Sequence, residues 1–145
     1  MKKRVIWWIL AAAILVLSVV VYFRPLAFTD IVTEQQDIWM ILSIFSIQNG
    51  EPDIEMVEYQ DITAEEKRDI LMVLEQYTYR RTLGTLFSDG TIEDLGEKML
   101  TVHLHDGVWA ETVVVTSSGK MTVGDRGYRM KDAGEMMKKL VEIVE

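Results

Sequence analysis

An uncharged apolar run near the amino terminus constrains this chain more than any other feature of its sequence. No Asp, Glu, Lys or Arg lies between Arg4 and Arg24. As a helix with a rise of ~1.5 Å per residue, residues 5–23 would be ~28 Å long, close to the ~30 Å hydrocarbon thickness of a bilayer. Because every face of this helix is apolar, it lacks the one-sided pattern of a helix that covers a soluble core. The run therefore predicts a membrane span.

The residues that follow the run, and the aromatic residues at its ends, indicate an anchor that is retained. A cleavable secretory signal usually has an apolar core of ~7–15 residues followed by small residues. This run is longer, and Pro25 stands where a small residue would be needed. Aromatic rings tend to lie at the two water interfaces of a bilayer. Four of them stand near the ends of the run, namely Trp7, Trp8, Tyr22 and Phe23.

Flanking charges predict the orientation of the anchor. Basic residues favour the cytoplasmic side of a membrane, and Lys2, Lys3 and Arg4 precede the run while only Arg24 follows it. We therefore expect the amino terminus to be cytoplasmic and the rest of the chain to lie outside. The expected parts are a cytoplasmic tail (1–4), a transmembrane signal-anchor (5–23), a connector (24–36) and an extracytoplasmic domain (37–145).

The exported part is acidic and lacks cysteine. Four of the 15 basic residues precede residue 25, which leaves 11 against 23 acidic residues and a net charge of −12. Such a domain repels nucleic acid, so no nucleic-acid partner is expected. The absence of cysteine excludes disulfides, thiolate metal sites, thiol nucleophiles and a lipid-modified terminal cysteine. An exported domain without disulfides fits the envelope of a bacterium with a single membrane, as in Gram-positive species.

The exported sequence reads as short strands with two helices. Residues 37–47 are rich in β-branched and aromatic residues, which favours a strand; the alternative is a helix that continues from the membrane. Thr63 and Glu66 have the spacing of a capping box at a helix start, and Asp132 and Glu135 repeat it before the last helix. The other expected segments are a second hairpin arm (53–62), a packed connecting loop (84–97), an alternating strand (99–105), a returning strand (109–116) and a short strand (120–123).

The order of these segments, β-β-α-β-β-β-α, predicts an α+β domain. Its strands would form an antiparallel sheet, with two helices on one face. The segments "EYQDIT", "AEEKRDILMVLEQY", "RRTL", "MLTVHLHDGVWAETVVV" and "GYRM" together resemble a family of small extracytoplasmic domains of low-GC Gram-positive bacteria. The resemblance spans residues 37–130 and implies a membrane-anchored or lipid-anchored α+β protein. The family has no established activity or site that could be carried over to this chain.

Two histidines are the candidate metal ligands. His103 and His105 stand two apart on a predicted strand and therefore project from the same face. Glu111 would lie opposite His103 if the turn at Asp106 has a three-residue loop, whereas a two-residue loop brings Ala110 there. An exposed polar face of a half-buried sheet explains both histidines without a metal and is the preferred interpretation. No cofactor is expected.

The sequence contains no Gly-x-Ser-x-Gly elbow and no Gly-x-x-x-x-Gly-Lys phosphate loop. We therefore expect a non-enzymatic binding or accessory module that recognises a protein, a peptide or an envelope component. Two alternatives remain. One is a metal-dependent hydrolase that uses His103 and His105, and the other is a subunit of a membrane complex in which the alanines at 11–13 pack on other helices.

Overall fold

The computed structural model describes residues 2–32, 39–47, 54–92, 98–105 and 110–145. Helix α1 (Lys2–Tyr22) is long and apolar enough to cross a membrane, and the described part of the chain leaves its residues 4–21 exposed. A single 3-10 turn follows (Phe28–Asp30). The domain helices are α2 (Ala64–Glu75), α3 (Leu83–Leu86) and α4 (Ala133–Val144).

Seven antiparallel strands form one sheet with the order β2-β1-β4-β5-β6-β7-β3. The strands are β1 (Trp39–Ile47), β2 (Ile54–Tyr59), β3 (Tyr79–Arg81), β4 (Lys98–His105), β5 (Ala110–Thr116), β6 (Lys120–Val123) and β7 (Arg126–Met130). The α+β prediction is confirmed, and all five predicted strands are present. The structure adds β3 and β7, which pair with each other at one side of the sheet, and the one-turn helix α3.

The core lies between one face of the sheet and the helices α2 and α4. Strand β4 alternates as its sequence predicts, with Leu100, Val102 and Leu104 all buried on the helix side. Ile70 of α2 and Leu140 of α4 pack into the same cluster. We call this side of the sheet the helix face and the other side the open face.

The predicted connector contributes to this core. Leu26 pairs with Tyr79 through two backbone hydrogen bonds of 2.8 and 3.0 Å, which extends the sheet beyond β3. The side chains of Leu26, Phe28 and Val32 are buried in the core. The folded domain therefore begins within four residues of the end of α1, and the connector is shorter than the predicted segment 24–36. Residues 33–36 lie outside the described residues.

The two predicted capping boxes have different outcomes. At α2 the box is present, because the backbone N–H of Thr63 donates to Glu66 Oε2 (2.7 Å) and that of Glu66 donates to Thr63 Oγ1 (3.3 Å). The box predicted at α4 is wrong. Asp132 has a left-handed backbone (φ 57°, ψ 32°) and makes no side-chain cap, whereas a capping side chain normally comes from an extended residue.

Candidate functional site

The end of α1 is joined to the domain by contacts to Tyr22. The guanidinium of Arg81 donates to the Tyr22 carbonyl (3.2 Å) and lies over its ring, 5.4 Å from the centroid. The Tyr22 hydroxyl donates to the carbonyl of Thr82 (3.4 Å). The last carbonyls of a helix lack intrahelical donors and carry partial negative charge. Arg81 therefore satisfies a helix end and fixes it to the end of β3.

The predicted anchor aromatics fall into two groups. Trp7, Trp8 and Phe23 are exposed, as side chains in contact with lipid would be. Tyr22, the last residue of α1, is half-buried because its side chain contacts the domain. The Phe23 ring lies edge-on to the Tyr22 ring, with 5.0 Å between the two centroids. Tyr22 therefore joins α1 to the domain in addition to its predicted place at the end of the run.

These contacts define one end of the sheet, which we call the anchor-proximal end. Here β3 ends at Arg81, which lies opposite Tyr128 of β7. The turn between β6 and β7 is at the same end, where the Gly124 N–H donates to the carbonyl of Thr112 (3.0 Å). The opposite end holds the turn at 117–119, which is separated from this end by the full length of β5, ~20 Å.

A compact turn formed by residues 82–90 packs on the open face of β7 at the anchor-proximal end. The hydroxyls of Thr82 and Thr85 donate to the carbonyl of Gly127, and the Asp89 N–H donates to the carbonyl of Gly84 (2.8 Å). A Cβ atom on Gly84 would collide with the Asp89 carbonyl oxygen, and one on Gly127 would lie 3.0 Å from it. Glycine is therefore needed for this close approach. The threonine hydroxyls of the turn therefore face the domain.

The apolar side chains of the same turn face outward. Leu83, Leu86 and Phe87, which we call the apolar tip, are 64%, 58% and 72% exposed. Outside α1 they are the most exposed large apolar side chains in the described part of the chain, followed by Met56 at 52%. The prediction of a packed loop is therefore wrong for Leu86 and Phe87. Threonine and glycine occupy the inner side of the turn, which leaves no inner position for the larger residues.

Glu111 lies near the same end on the helix face, where it stands opposite Leu104. Burial raises the pKa of its carboxyl, and the charge of Arg126 opposes that rise. Its Oε2 atom is buried and has no hydrogen-bond partner among the described residues. Burial also raises the pKa of the Tyr128 hydroxyl, again against the charge of Arg126. Among the described carboxyls with a resolved shift, Glu111 is the one whose pKa is raised, and the sequence did not single it out for burial.

The histidines lie on the open face, and the structure does not bring Glu111 to them. Thr112 stands opposite His103, and its hydroxyl lies 3.1 Å from His103 Nδ1. His105 stands opposite Ala110, so four residues separate the two strands and neither predicted register occurs. Within the described residues, no three potential metal ligands come together. The His103 and His105 metal site stays a prediction, and Asp106 lies outside the described residues.

The centre of the open face carries small hydroxyl side chains. Ser43 of β1 stands opposite Thr101 of β4, and Thr122 of β6 lies on the same face two strands further along. All three are buried among their neighbours, whereas His103 and Thr112 beside them are half-exposed. The polar groups that the centre of the open face presents to solvent are therefore those of His103 and Thr112, while the three buried hydroxyl side chains lie beneath the surface.

The described groups have distinct chemical capabilities. The arginines at the anchor-proximal end can bind anionic groups through their planar forks, the apolar tip favours apolar surroundings, and the open face can exchange hydrogen bonds with a polar partner. Comparison of the chain with models of protein families, with curated proteins and with solved structures gives no match.

Proposed function

We propose that this chain is a single-pass membrane protein whose acidic domain is a non-enzymatic binding or accessory module outside the cell membrane. Its partner would be a protein, a peptide or another envelope component. The observation that carries the proposal is the joint between α1 and the domain. An apolar helix whose residues 4–21 are exposed among the described residues is tied to the domain through Arg81 and Thr82, so the domain stays close to whatever surrounds the helix.

The orientation follows from charge, with the basic residues at positions 2–4 in the cytoplasm. Because the domain begins at Leu26, it would be held at the outer surface of the bilayer, without a long stalk. The open face is the surface that we assign to the partner, since α2 and α4 occupy the other face. The resemblance of residues 37–130 to anchored Gram-positive domains belongs to the same proposal.

Orientation is tested by labelling single cysteines in intact cells with a membrane-impermeant maleimide. The chain has no cysteine of its own, so each variant reports one position. We expect Ser118→Cys, at the exposed turn farthest from the anchor, to be labelled from outside, and Lys2→Cys to be labelled only after lysis. The reverse pattern, or a mature chain that begins after residue 27, would refute the proposed topology.

Binding is tested with a photo-crosslinking amino acid placed in the full-length chain in its native membrane. Position 112 lies on the open face, and position 72 is an exposed control on α2. We expect one reproducible crosslinked partner from position 112 and none from position 72. Equal capture at both positions, or turnover of an envelope substrate by the purified chain, would contradict a binding module that uses the open face.

A further inference from the structure

We infer that the apolar tip, Leu83, Leu86 and Phe87, is a second membrane contact that inserts into the outer leaflet beside α1 and fixes the orientation of the domain on the bilayer. This inference rests on the proposed membrane anchoring of α1. It assigns a lipid-binding surface to the domain itself and identifies lipid as the cover of the three exposed side chains.

The depth of the tip follows from the contact between α1 and β3. Tyr22 ends the apolar run at the position of an interfacial aromatic residue, and its hydroxyl contacts the carbonyl of Thr82 at 3.4 Å. Leu83 is the next residue, ~3.8 Å further along the backbone, and α3 adds one turn of ~6 Å. Leu83, the first residue of the tip, therefore lies within ~7 Å of the Tyr22 hydroxyl, and the end of α3 lies within ~13 Å of it. The interfacial layer of each leaflet is ~5–8 Å thick, so Leu83 reaches this layer, and Leu86 and Phe87 lie one helical turn from it.

The construction of the turn explains why the tip does not fold inward. The Thr82 and Thr85 hydroxyls are held by Gly127, and Gly84 leaves no room for rearrangement against Asp89. A short segment whose threonine hydroxyls bond inward while its three large apolar side chains are exposed reverses the usual arrangement of a soluble protein. Such a surface favours an apolar partner.

Continuity with α1 favours lipid as the cover of the tip, and two arginines lie on the same side. Arg24 and Arg80 are exposed; Arg24 follows the end of α1, and Arg80 lies on the open face, where the turn packs. The acidic residues Asp89 and Asp125 are exposed at the turn as well. Guanidinium groups beside an apolar tip can contact lipid phosphates while the tip enters the acyl boundary. The apolar surface of α1 continues into the tip at Tyr22, so the same bilayer serves both.

The test places one environment-sensitive fluorophore on the full-length chain in phosphatidylcholine–phosphatidylglycerol vesicles that contain nitroxide lipids. Ser88→Cys reports the tip, because Ser88 is exposed and follows Phe87 directly. Ser118→Cys is the matched control at the opposite end of the sheet, and Leu15→Cys reports the middle of α1. We expect a headgroup-level nitroxide to quench the Ser88 label with a blue-shifted emission, and to leave the Ser118 label unchanged.

A triple variant tests whether the apolar side chains, and not only the position of the turn near the bilayer, bring the Ser88 label into contact with lipid. With Leu83→Ser, Leu86→Ser and Phe87→Ser in the Ser88→Cys chain, we expect the ratio of lipid-bound to free tip to fall about tenfold or more, because less apolar surface leaves water. These positions are exposed, so the folded domain should persist, and circular dichroism checks it. Unchanged quenching in the triple variant overturns the inference.

The remaining outcomes separate this inference from the anchoring proposal. If a deep nitroxide quenches the Leu15 label but no lipid quenches the Ser88 label, the anchor stands and the tip does not insert. A blue-shifted Ser88 label without lipid quenching indicates a protein cover and also overturns the inference. If the Leu15 label is not quenched, the anchoring proposal itself fails.

Discussion

Replacing Phe28 by Ala tests where the folded domain begins. Phe28 lies five residues beyond the apolar run, yet it is 0% exposed and its ring centroid is 5.9 Å from that of Tyr79. Removal of a buried Phe side chain costs about 3–5 kcal/mol, because the lost transfer free energy and the new cavity add. A tilted aromatic pair contributes about 0.5–1.5 kcal/mol beyond area. We therefore expect a loss of about 4 kcal/mol.

The assay is urea unfolding of the full-length chain in detergent micelles, with the circular dichroism of the domain recorded at each urea concentration. A loss of about 4 kcal/mol, with a denaturant slope of about 2 kcal/mol/M, lowers the unfolding midpoint by about 2 M. That loss is a large part of the about 5–15 kcal/mol that stabilises an ordinary domain. A parent at the lower end of this range would retain only about 1 kcal/mol, so about one molecule in six would be unfolded without denaturant.

Phe87→Ala is the matched control, because it makes the same chemical change at a side chain that is 72% exposed. We expect it to change the free energy of unfolding by less than about 0.5 kcal/mol in detergent. If Phe28→Ala and Phe87→Ala have the same midpoint, residues 26–32 do not belong to the core. The close attachment of the domain to the anchor would then be wrong.

Three other changes test local features of the fold. Burial raises the folded-state pKa of the Glu111 carboxyl above its ordinary 4.5. The stability that this shift contributes is therefore fully present below pH 4.5 and is lost as the pH rises through the folded-state pKa. We expect Glu111→Gln to raise the urea midpoint at pH 7 and to have a smaller effect at pH 4; no gain at pH 7 would contradict the assigned burial. Thr63→Ala should cost about 0.5–2 kcal/mol by removing the cap of α2, whereas an unchanged thermal midpoint would show that the box contributes nothing. Gly84→Ala should disturb the turn at 82–90 through the Asp89 carbonyl and increase proteolysis there; a cleavage rate equal to that of the parent would contradict the packing of this turn.

Local patterns allowed part of the fold to be predicted. Residues 5–23 specify an apolar helix because nothing in them is charged, and Thr63 and Glu66 specify the start of α2 because both partners lie within one turn. The alternation of β4 shows which side chains face the core, since strand periodicity is a property of the strand itself. Of the candidate site residues, the anchor roles of Trp7, Trp8, Tyr22 and Phe23 and the metal role of the two histidines stay predictions.

Other features depended on contacts between distant parts of the chain. Leu26 becomes part of the sheet only because Tyr79 lies beside it, and β3 is too short to stand out without β7. The four residues between His105 and Ala110 place Glu111 on the helix face, which no alternation within either strand could specify. The apolar tip shows the same limit, because only the packing of Thr85 and Gly84 on β7 decides that the leucines face outward.

The sequence alone determined that an apolar span precedes an acidic α+β domain, because composition and periodicity are carried by neighbouring residues. Only the tertiary structure decided how closely the two parts join, which residues lie at their junction and which acid is buried. Strand register and long-range packing fix these features, and they arise from pairings between residues that are far apart in the chain.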